Sequence, residues 1–392
     1  MAKRVLVFSV AYLPFVGGAE LALKAVTDRS DMEFDLITLR LDRALPRKEK
    51  MGNVTVHRIG FGKEKPTMEE LARFPMYLNK VLFPLLAFFW AVRLHRRRRY
   101  DAVWAMMSYA GFPAVFLKAL LPSVPFVLTL QEGDSVEHIT RRWRIRAVFP
   151  LYRMVFARAD VISAISHYLA DFARAMGAKC PIEVIPNGVD LEKFKVQSAK
   201  FKVEELKGKL AMKEGEKVIM TVSRLVEKNA VGDIIAALQH LPRNVKLLIV
   251  GTGPLEESLK LKVQSSKLMD KVIFVGEVAP DDVPQYLALA DVFVRPSLSE
   301  GFGSAFIEAM AVGVPVVATP VGGIVDFLKD GETGLLCNAR DPKSVAEKVL
   351  RLLKDEQLRE HIVKNAQKMV SERYHWDHIA REMRERIFEK VL

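Results

Sequence analysis

Nine consecutive residues, Glu300-Gly301-Phe302-Gly303-Ser304-Ala305-Phe306-Ile307-Glu308, bring two carboxylates, two glycines and a hydroxyl together just after a β-rich run, DVFVRPS. The block therefore reads as a strand-to-helix turn. Gly301 and Gly303 let the backbone approach a ligand closely, and a helix starting near Ser304 offers free N–H groups to an anion. Glu300 stands on the loop and Glu308 about one turn into the helix, so both carboxylates can reach one crevice as acceptors for ribose or sugar hydroxyls. A solvated Glu308 and an ordinary loop charge at Glu300 are the plain alternative. Their placement at a strand's carboxyl end favours the hydroxyl-binding reading.

Arg224 and Lys228 follow another apolar run, VIMTVSRLVEKNAV. Two cations at that point could neutralise a diphosphate leaving group, Arg bidentately and Lys as a point charge. A surface pair answered by Glu227 is the alternative. Gly17-Gly18 closes the loop after the first strand and opens the first helix, as a phosphate-approach turn or an ordinary one. Gly251-Thr252-Gly253-Pro254-Leu255-Glu256 resembles a dinucleotide fingerprint but has Glu256 where the third glycine belongs, which argues against a nicotinamide enzyme on this motif. Gln131-Glu132-Gly133-Asp134 also ends a strand, with His138 near. Glu132 or Asp134 could bind acceptor hydroxyls or cap the next helix. His57 and His95 have no partner motif and read as structural or surface residues. There is no Asp-x-Asp triplet to hold a divalent metal against a diphosphate, so the expected metal set is none.

The composition narrows the class. The chain has 392 residues, is 50% hydrophobic and carries a net charge of +12, of which residues 1–190 hold +10. That half should meet something anionic: phosphates, nucleic acid or a membrane surface. The two cysteines, Cys180 and Cys337, form no CxxC, so neither a zinc site nor a disulfide framework is indicated. No secretory signal is read at the N-terminus, and a cytoplasmic location is expected. Only 14 residues are Asn or Gln, a lean toward a thermophilic source. Val81–Val92 is the most apolar run, and its twelve residues fall short of the roughly 20 of a membrane span. It reads as a buried or interfacial helix. The basic runs Arg96–Arg99 and Arg141–Arg146 are solvated faces or contacts to anionic lipid.

The elements that must position these residues alternate. Val5–Val10, Phe34–Leu39, Val54–Arg58, Ala102–Met106, Pro125–Leu130, Val161–Ala164 and Glu183–Pro186 read as strands. Between them Gly18–Asp28, Met76–Arg97, Gly111–Leu120, Arg142–Ala157 and Ser166–Met176 read as helices. Turn chemistry at Asn187-Gly188-Val189-Asp190 and a charged stretch after it break the pattern. A second alternation follows, with strands at Val218–Val222, Val245–Val250, Val272–Val275, Asp291–Arg295, Val316–Ala318 and Gly334–Leu336. The expected fold class is α/β, two doubly wound Rossmann-like parallel-sheet domains facing across a deep cleft. The expected domains are 1–190, a linker at 191–216, 217–374 and a C-terminal helix at 375–392.

Several runs resemble glycosyltransferase family 4, retaining, nucleotide-sugar-dependent enzymes of the GT-B fold. They are SRLVEK, LLIVGTGP, VIFVGEV and ADVFVRPSLSEGFGSAFIEAMAVGVPVVATPVGGIVDFLKDGETGLL, with PFVGGAE, ADVISAISHYLADF and IEVIPNGVDLEKF in the first half. The resemblance covers nearly the whole chain. It implies that Glu300 holds hydroxyls of the transferred sugar, with the backbone at Phe302 and Gly303 near sugar and phosphate. Glu308 would bind the ribose, and Arg224 and Lys228 would stabilise the departing diphosphate. Backbone near Gly251 and Val278 would contact the base, and Gly17-Gly18 would close on phosphates and acceptor. It further implies an acceptor domain at 1–190, a donor domain at 217–374, a last helix packing back on the first domain, and no cofactor, a UDP- or GDP-sugar being the substrate.

Two positions depart from the family pattern. Many members have a lysine five residues after the arginine, followed by glycine; here these are Asn229 and Ala230, with the lysine one residue earlier. Many have a histidine after the Thr-Leu of the acceptor-domain strand; here it is Gln131, which cannot serve as general base. A front-face retaining route needs no protein base if the leaving phosphate takes the acceptor's proton.

The expected activity is thus metal-independent, retaining hexosyl transfer to a saccharide, lipid-linked or other hydroxyl acceptor. A phosphorylase or epimerase of the same architecture is the close alternative. A nucleic-acid binder is the distant one, disfavoured because the aromatics form no exposed ladder.

Overall fold

The computed structural model describes all residues except 1, 16, 67–69, 71–72, 135–145 and 195–199. The chain divides into two compact units, one of residues 1–132, 136–187 and 376–392, the other of 133–135 and 188–375. His138 and most of the second basic run lie outside the described residues.

The first unit is an eight-stranded sheet in the order β3-β4-β2-β1-β5-β6-β7-β8, formed by β1 (Arg4–Phe8), β2 (Glu33–Leu39), β3 (Lys48–Met51), β4 (Val54–Ile59), β5 (Ala102–Met106), β6 (Phe126–Leu130), β7 (Val161–Ala164) and β8 (Ile182–Val184). All neighbours are parallel except β3 against β4. Strands β5, β6 and β7 are buried at every residue, as continuous apolar runs covered on both faces require. Sequence reasoning missed β3. Its sequence, KEKM, alternates charge at a sheet edge, and beside its main-chain ladder Glu49 accepts from Arg58 Nη1 of β4 at 2.8 Å.

The second unit is a six-stranded parallel sheet in the order β11-β10-β9-β12-β13-β14. Its strands are β9 (Lys217–Val222), β10 (Val245–Val250), β11 (Val272–Gly276), β12 (Val292–Arg295), β13 (Val316–Ala318) and β14 (Leu335–Leu336). Its core gathers Ile219, Leu247, Ile249, Val292 and Val294 with Ile234, Ile235 and Val349 from the covering helices, each almost wholly buried. Burying one such side chain is worth about 1.5–3 kcal/mol. In both sheets the chain order reverses beside a central strand, β1 in the first and β9 in the second. Such a switch point is where open α/β sheets leave room for ligands, at the carboxyl ends.

The division after Asn187 precedes the break expected at Asp190. The Val189 N–H donates to the Tyr374 carbonyl at 2.6 Å and Val189 bridges to His375, which ties Gly188–Asp190 to the second unit. The supposed linker contains a helix, Lys200–Lys209. The final residues enter the first unit's core, where Ile379, Met383, Ile387 and Phe388 pack with Val5, Val7 and Trp104. The Trp104 and Phe388 rings meet edge to face at 5.2 Å. Glu183 anchors this segment by hydrogen bonds to Arg386, 2.6 Å, and Lys390, 2.5 Å.

Helix α1 spans Gly18–Asp28, α2 Met76–Arg97 and α3 Gly111–Leu120. The apolar run that looked too short to cross a membrane is part of the 22-residue α2, which is long and apolar enough to do so. Five of its residues, Met76, Asn79, Phe83, Ala87 and Ala91, are buried, and it packs on β2 and α3.

Candidate active site

In the second unit, β9 and β12 are neighbours, paired at Val292 with Ile219 and Phe293 with Met220. Their carboxyl ends therefore deliver Arg224–Lys228 and Glu300–Gly303 side by side. Lys228 Nζ lies 3.2 Å from Asp134 Oδ1, an ion pair about one-third exposed on each side. Ser299 Oγ donates to the Gly133 carbonyl at 3.2 Å. A Cβ built on Gly133 would stand 2.7 Å from Lys228 Nζ and 3.9 Å from Glu300 Oε1. Lys228, Asp134 and Glu300 thus surround one small glycine, and Lys228 answers Asp134 rather than Glu227. Arg224 is exposed just beyond β9. Its carbonyl accepts from Asn229 Nδ2 at 2.6 Å, so Asn229 braces the loop.

Sequence reasoning missed Arg295. It ends β12 with its side chain only 7% exposed, and its Nη2 donates to Glu300 Oε2 at 2.7 Å. Its Nη1 donates to the Val222 carbonyl at 3.2 Å, and the guanidinium lies 4.3 Å from the Phe306 ring centre. One arginine thereby joins β9, β12 and the helix Ser304–Val312. The available signal was a lone charge in an otherwise apolar strand. Gly322 and Gly323 were missed as well. The Gly323 N–H donates to the Glu300 carbonyl at 3.0 Å, and a Cβ on Gly322, whose φ is +55°, would fall 1.8 Å from that oxygen.

The remaining candidates sort by what their side chains touch. Phe302 is buried against Phe327 and Tyr374, leaving only its backbone to face a ligand. Gly303 has a φ of +96° at the start of its helix, and a Cβ there would meet Phe306 at 2.5 Å. Glu308 is half-buried, and burial pushes its carboxyl above the usual range although the fields of Lys193 and Arg295 oppose this. No hydrogen bond to it forms among the described residues. A desolvated acid of this kind is a frequent mark of a binding group. Gly251 packs tightly, since a Cβ there would lie 2.2 Å from the Ser223 carbonyl oxygen. Val278 is half-buried just past β11.

In the first unit, Gly17 and Gly18 are exposed where β1 leads into α1. The Gly17 N–H donates to Glu20 Oε2 at 2.8 Å, and burial raises the Glu20 carboxyl. Gln131 and Asn187 form a reciprocal amide pair at 2.8 and 2.9 Å, and a Cβ built on Gly18 would stand 3.9 Å from Asn187 Nδ2. The sequence presented Asn187 only as turn chemistry, because its partner lies 56 residues away. Glu132, expected as an acceptor-binding group, turns its side chain inward. It is buried, and its two oxygens accept the N–H groups of Ser108, 2.6 Å, and Gln131, 3.0 Å. It braces the backbone beneath Gln131, and burial raises its carboxyl. His57, expected to be structural, is buried with Nε2 at 2.7 Å from Asp35.

Comparison with known proteins agrees with this frame. A family model described as "Glycosyl transferase 4-like domain" matches residues 21–188, and one described as "Glycosyl transferases group 1" matches 202–369. An uncharacterized glycosyltransferase of Methanocaldococcus jannaschii is 34% identical over 203 residues, 51% of this chain and 52% of that protein. The N-acetyl-alpha-D-glucosaminyl L-malate synthase of Bacillus anthracis is 31% identical over 62% of each chain. The GDP-mannose-dependent alpha-(1-6)-phosphatidylinositol monomannoside mannosyltransferase of Mycobacterium tuberculosis is 33% identical over 60% of this chain and 64% of its own. The chain thus spans between about half and two-thirds of these relatives' lengths. Among solved structures, the sucrose-phosphate synthase of Thermosynechococcus elongatus superposes with a TM-score of 0.83 at 21% identity, covering 99% of both chains. Anabaena HepE in complex with UDP and glucose gives 0.77 at 23%, covering 99% of this chain and 100% of that one. Two tandem α/β units, the Glu300–Glu308 turn and the two family matches agree: the chain belongs to glycosyltransferase family 4, with the GT-B fold.

Proposed function

We propose that this protein moves a sugar from a nucleotide-diphospho-sugar to a hydroxyl of a saccharide or lipid-linked acceptor, retaining the anomeric configuration and using no metal. The observation that carries the reading is the gathering of Lys228 and the Arg295-held Glu300 around Gly133, beside the start of the helix Ser304–Val312. Glu300 accepts hydroxyls of the transferred sugar, and Glu308 those of the ribose. Arg224 and Lys228 take up the charge that develops on the diphosphate, the work that divalent cations do in other phosphate sites.

In the proposed reaction the bond from the anomeric carbon to the diphosphate oxygen breaks, and a bond from that carbon to the acceptor oxygen forms on the same face. The acceptor's proton passes to the departing phosphate oxygen. Gln131 takes no proton, and its amide is already engaged with Asn187. The base is proposed as uridine or guanosine, since HepE binds UDP and the mycobacterial relative is named for GDP-mannose. The acceptor is proposed to be met at an anionic membrane surface by the basic first half of a cytoplasmic, peripheral enzyme.

The test is incubation with UDP- and GDP-sugars and a panel of hydroxyl acceptors, following nucleoside diphosphate release and the product's anomeric proton coupling. Retained configuration with free nucleoside diphosphate supports the reading. Sugar phosphate or an epimerised nucleotide sugar, with no glycosylated acceptor, would assign the phosphorylase or epimerase instead.

A further inference from the structure

Fifteen large apolar side chains of the described residues are exposed, and eight of them lie between Phe74 and Trp90. Leu78, Val81, Leu82, Leu85 and Phe89 recur at three- and four-residue spacing and so form one stripe along α2. Phe89 is 67% exposed, and Phe74, just before the helix, 84%. The opposite face is committed to the first unit. Asn79 Nδ2 donates to the Phe61 carbonyl at 2.7 Å, Tyr109 Oη to the Lys80 carbonyl at 2.7 Å, and Phe88 meets Phe116 at 6.0 Å.

Charge marks what the open stripe fits. Between residues 71 and 100 there are seven Lys and Arg residues and no Asp or Glu. Arg93 and Arg96 continue the apolar stripe beyond its end by helical spacing, and Arg93 and Arg96–Arg99 are exposed. A protein partner or second copy would have to match an apolar stripe closed by a run of arginines. A bilayer with anionic headgroups matches both at once, acyl chains under the stripe and phosphates at the arginines. At 1.5 Å per residue α2 is about 33 Å long, enough to span. Its buried face and hydrogen bonds to the sheet nevertheless hold it against the first unit.

We propose that α2 is a membrane-docking element, lying in the interfacial plane of an anionic bilayer with Leu78, Val81, Leu82, Leu85 and Phe89 inserted and Arg93 and Arg96–Arg99 on lipid phosphates. This deepens, and rests on, the membrane part of the proposed function; sugar transfer is read separately.

The test is co-sedimentation of the full chain with vesicles of phosphatidylcholine alone and of phosphatidylcholine mixed with phosphatidylglycerol, for wild type and the double variant Leu85→Glu, Phe89→Glu. Both positions are exposed, and an unchanged melting temperature checks that the variant folds. Wild type should bind the anionic vesicles about tenfold more tightly than the neutral ones, less so as salt rises, and the variant should lose about tenfold. Quenching of Trp90 by shallow brominated lipid, absent in Trp90→Phe, reports the in-plane pose. Equal partition to both vesicles, no binding, or a lipid-free dimer abolished by the double variant would overturn the proposal. Vesicle binding without donor turnover would leave docking standing and remove the transferase reading; turnover without vesicle binding would do the reverse.

Discussion

Arg295 Nη2 donates to Glu300 Oε2 at 2.7 Å, and both side chains are largely withdrawn from water, 7% and 13% exposed. The role proposed for Glu300 needs one oxygen fixed and the other open, and this contact leaves Oε1 toward Gly133. Replacing Arg295 by methionine keeps the contact with Phe306 but strands the charge of Glu300. The expected cost is about 3–5 kcal/mol, as for other half-broken buried pairs. Urea titration of Arg295→Met, Glu300→Gln and the double variant should give a coupling above roughly 1 kcal/mol. Additive effects would mean that the two do not act as a pair.

The two loop cations should separate in kinetics. Arg224→Ala is expected to lower kcat about 10²- to 10³-fold with the preferred nucleotide sugar, the size of a lost transition-state charge partner. Lys228→Ala should lower kcat on the order of tenfold, with Asp134 sharing part of that charge in the resting enzyme. Turnover near wild type in both would remove diphosphate stabilisation from this loop.

Glu308 gives a pH signature. Its carboxyl is raised in the folded protein, chiefly by burial, so the native state binds a proton more tightly than the unfolded chain. The contribution is therefore most favourable below the unfolded pKa and is lost as pH rises through the raised folded value. Glu308→Gln should melt higher than wild type at neutral pH, and the gap should close toward pH 4. The same variant should weaken nucleotide-sugar binding most above the raised pKa, where wild type offers a carboxylate. A constant difference in melting temperature across that range would contradict this account.

Ala230 takes φ +50° and ψ +37°, the left-handed region, between the Glu227–Asn229 turn and the helix Val231–Ala237. Alanine pays about 1–2 kcal/mol there, against the roughly 0.4–1 kcal/mol that glycine loses through its freer unfolded chain. Ala230→Gly should therefore stabilise the second unit by about 0.5–1 kcal/mol in urea titration, with kcat unchanged within twofold.

Much of the frame was legible where local and global signals agree. Ala102–Met106 and Val161–Ala164 are largely apolar runs that each follow an aspartate, Asp101 and Asp160, and their limits coincide with the strands formed. Gly303 and Gly313, both in the left-handed conformation, punctuate Ser304–Val312 at each end. The edge strand Lys48–Met51 was hidden because its charged sequence has no apolar run, and the one side-chain pairing to β4, Glu49 with Arg58, joins residues nine apart. Helix Lys200–Lys209 was hidden because its charged sequence has no clear apolar face. In the site, residue types at strand ends could be read directly, but partnerships could not. Nothing in Gln131 announces Asn187, and nothing in Glu132 announces the Ser108 N–H it serves. Such pairings depend on which way a loop turns after leaving the sheet.

Ile379, Met383, Ile387 and Phe388 complete the interior around Val5 and Trp104. Those residues leave a ribosome after all of 188–375, so the interior around Val5 and Trp104 is completed only once the second unit has been made. Residues 188–375 have all their strands and helices beforehand and can mature first. A fragment stopped at Asn187 would leave Trp104 without the edge of Phe388, and should be recovered from cells as insoluble material unless residues 376–392 are supplied in trans.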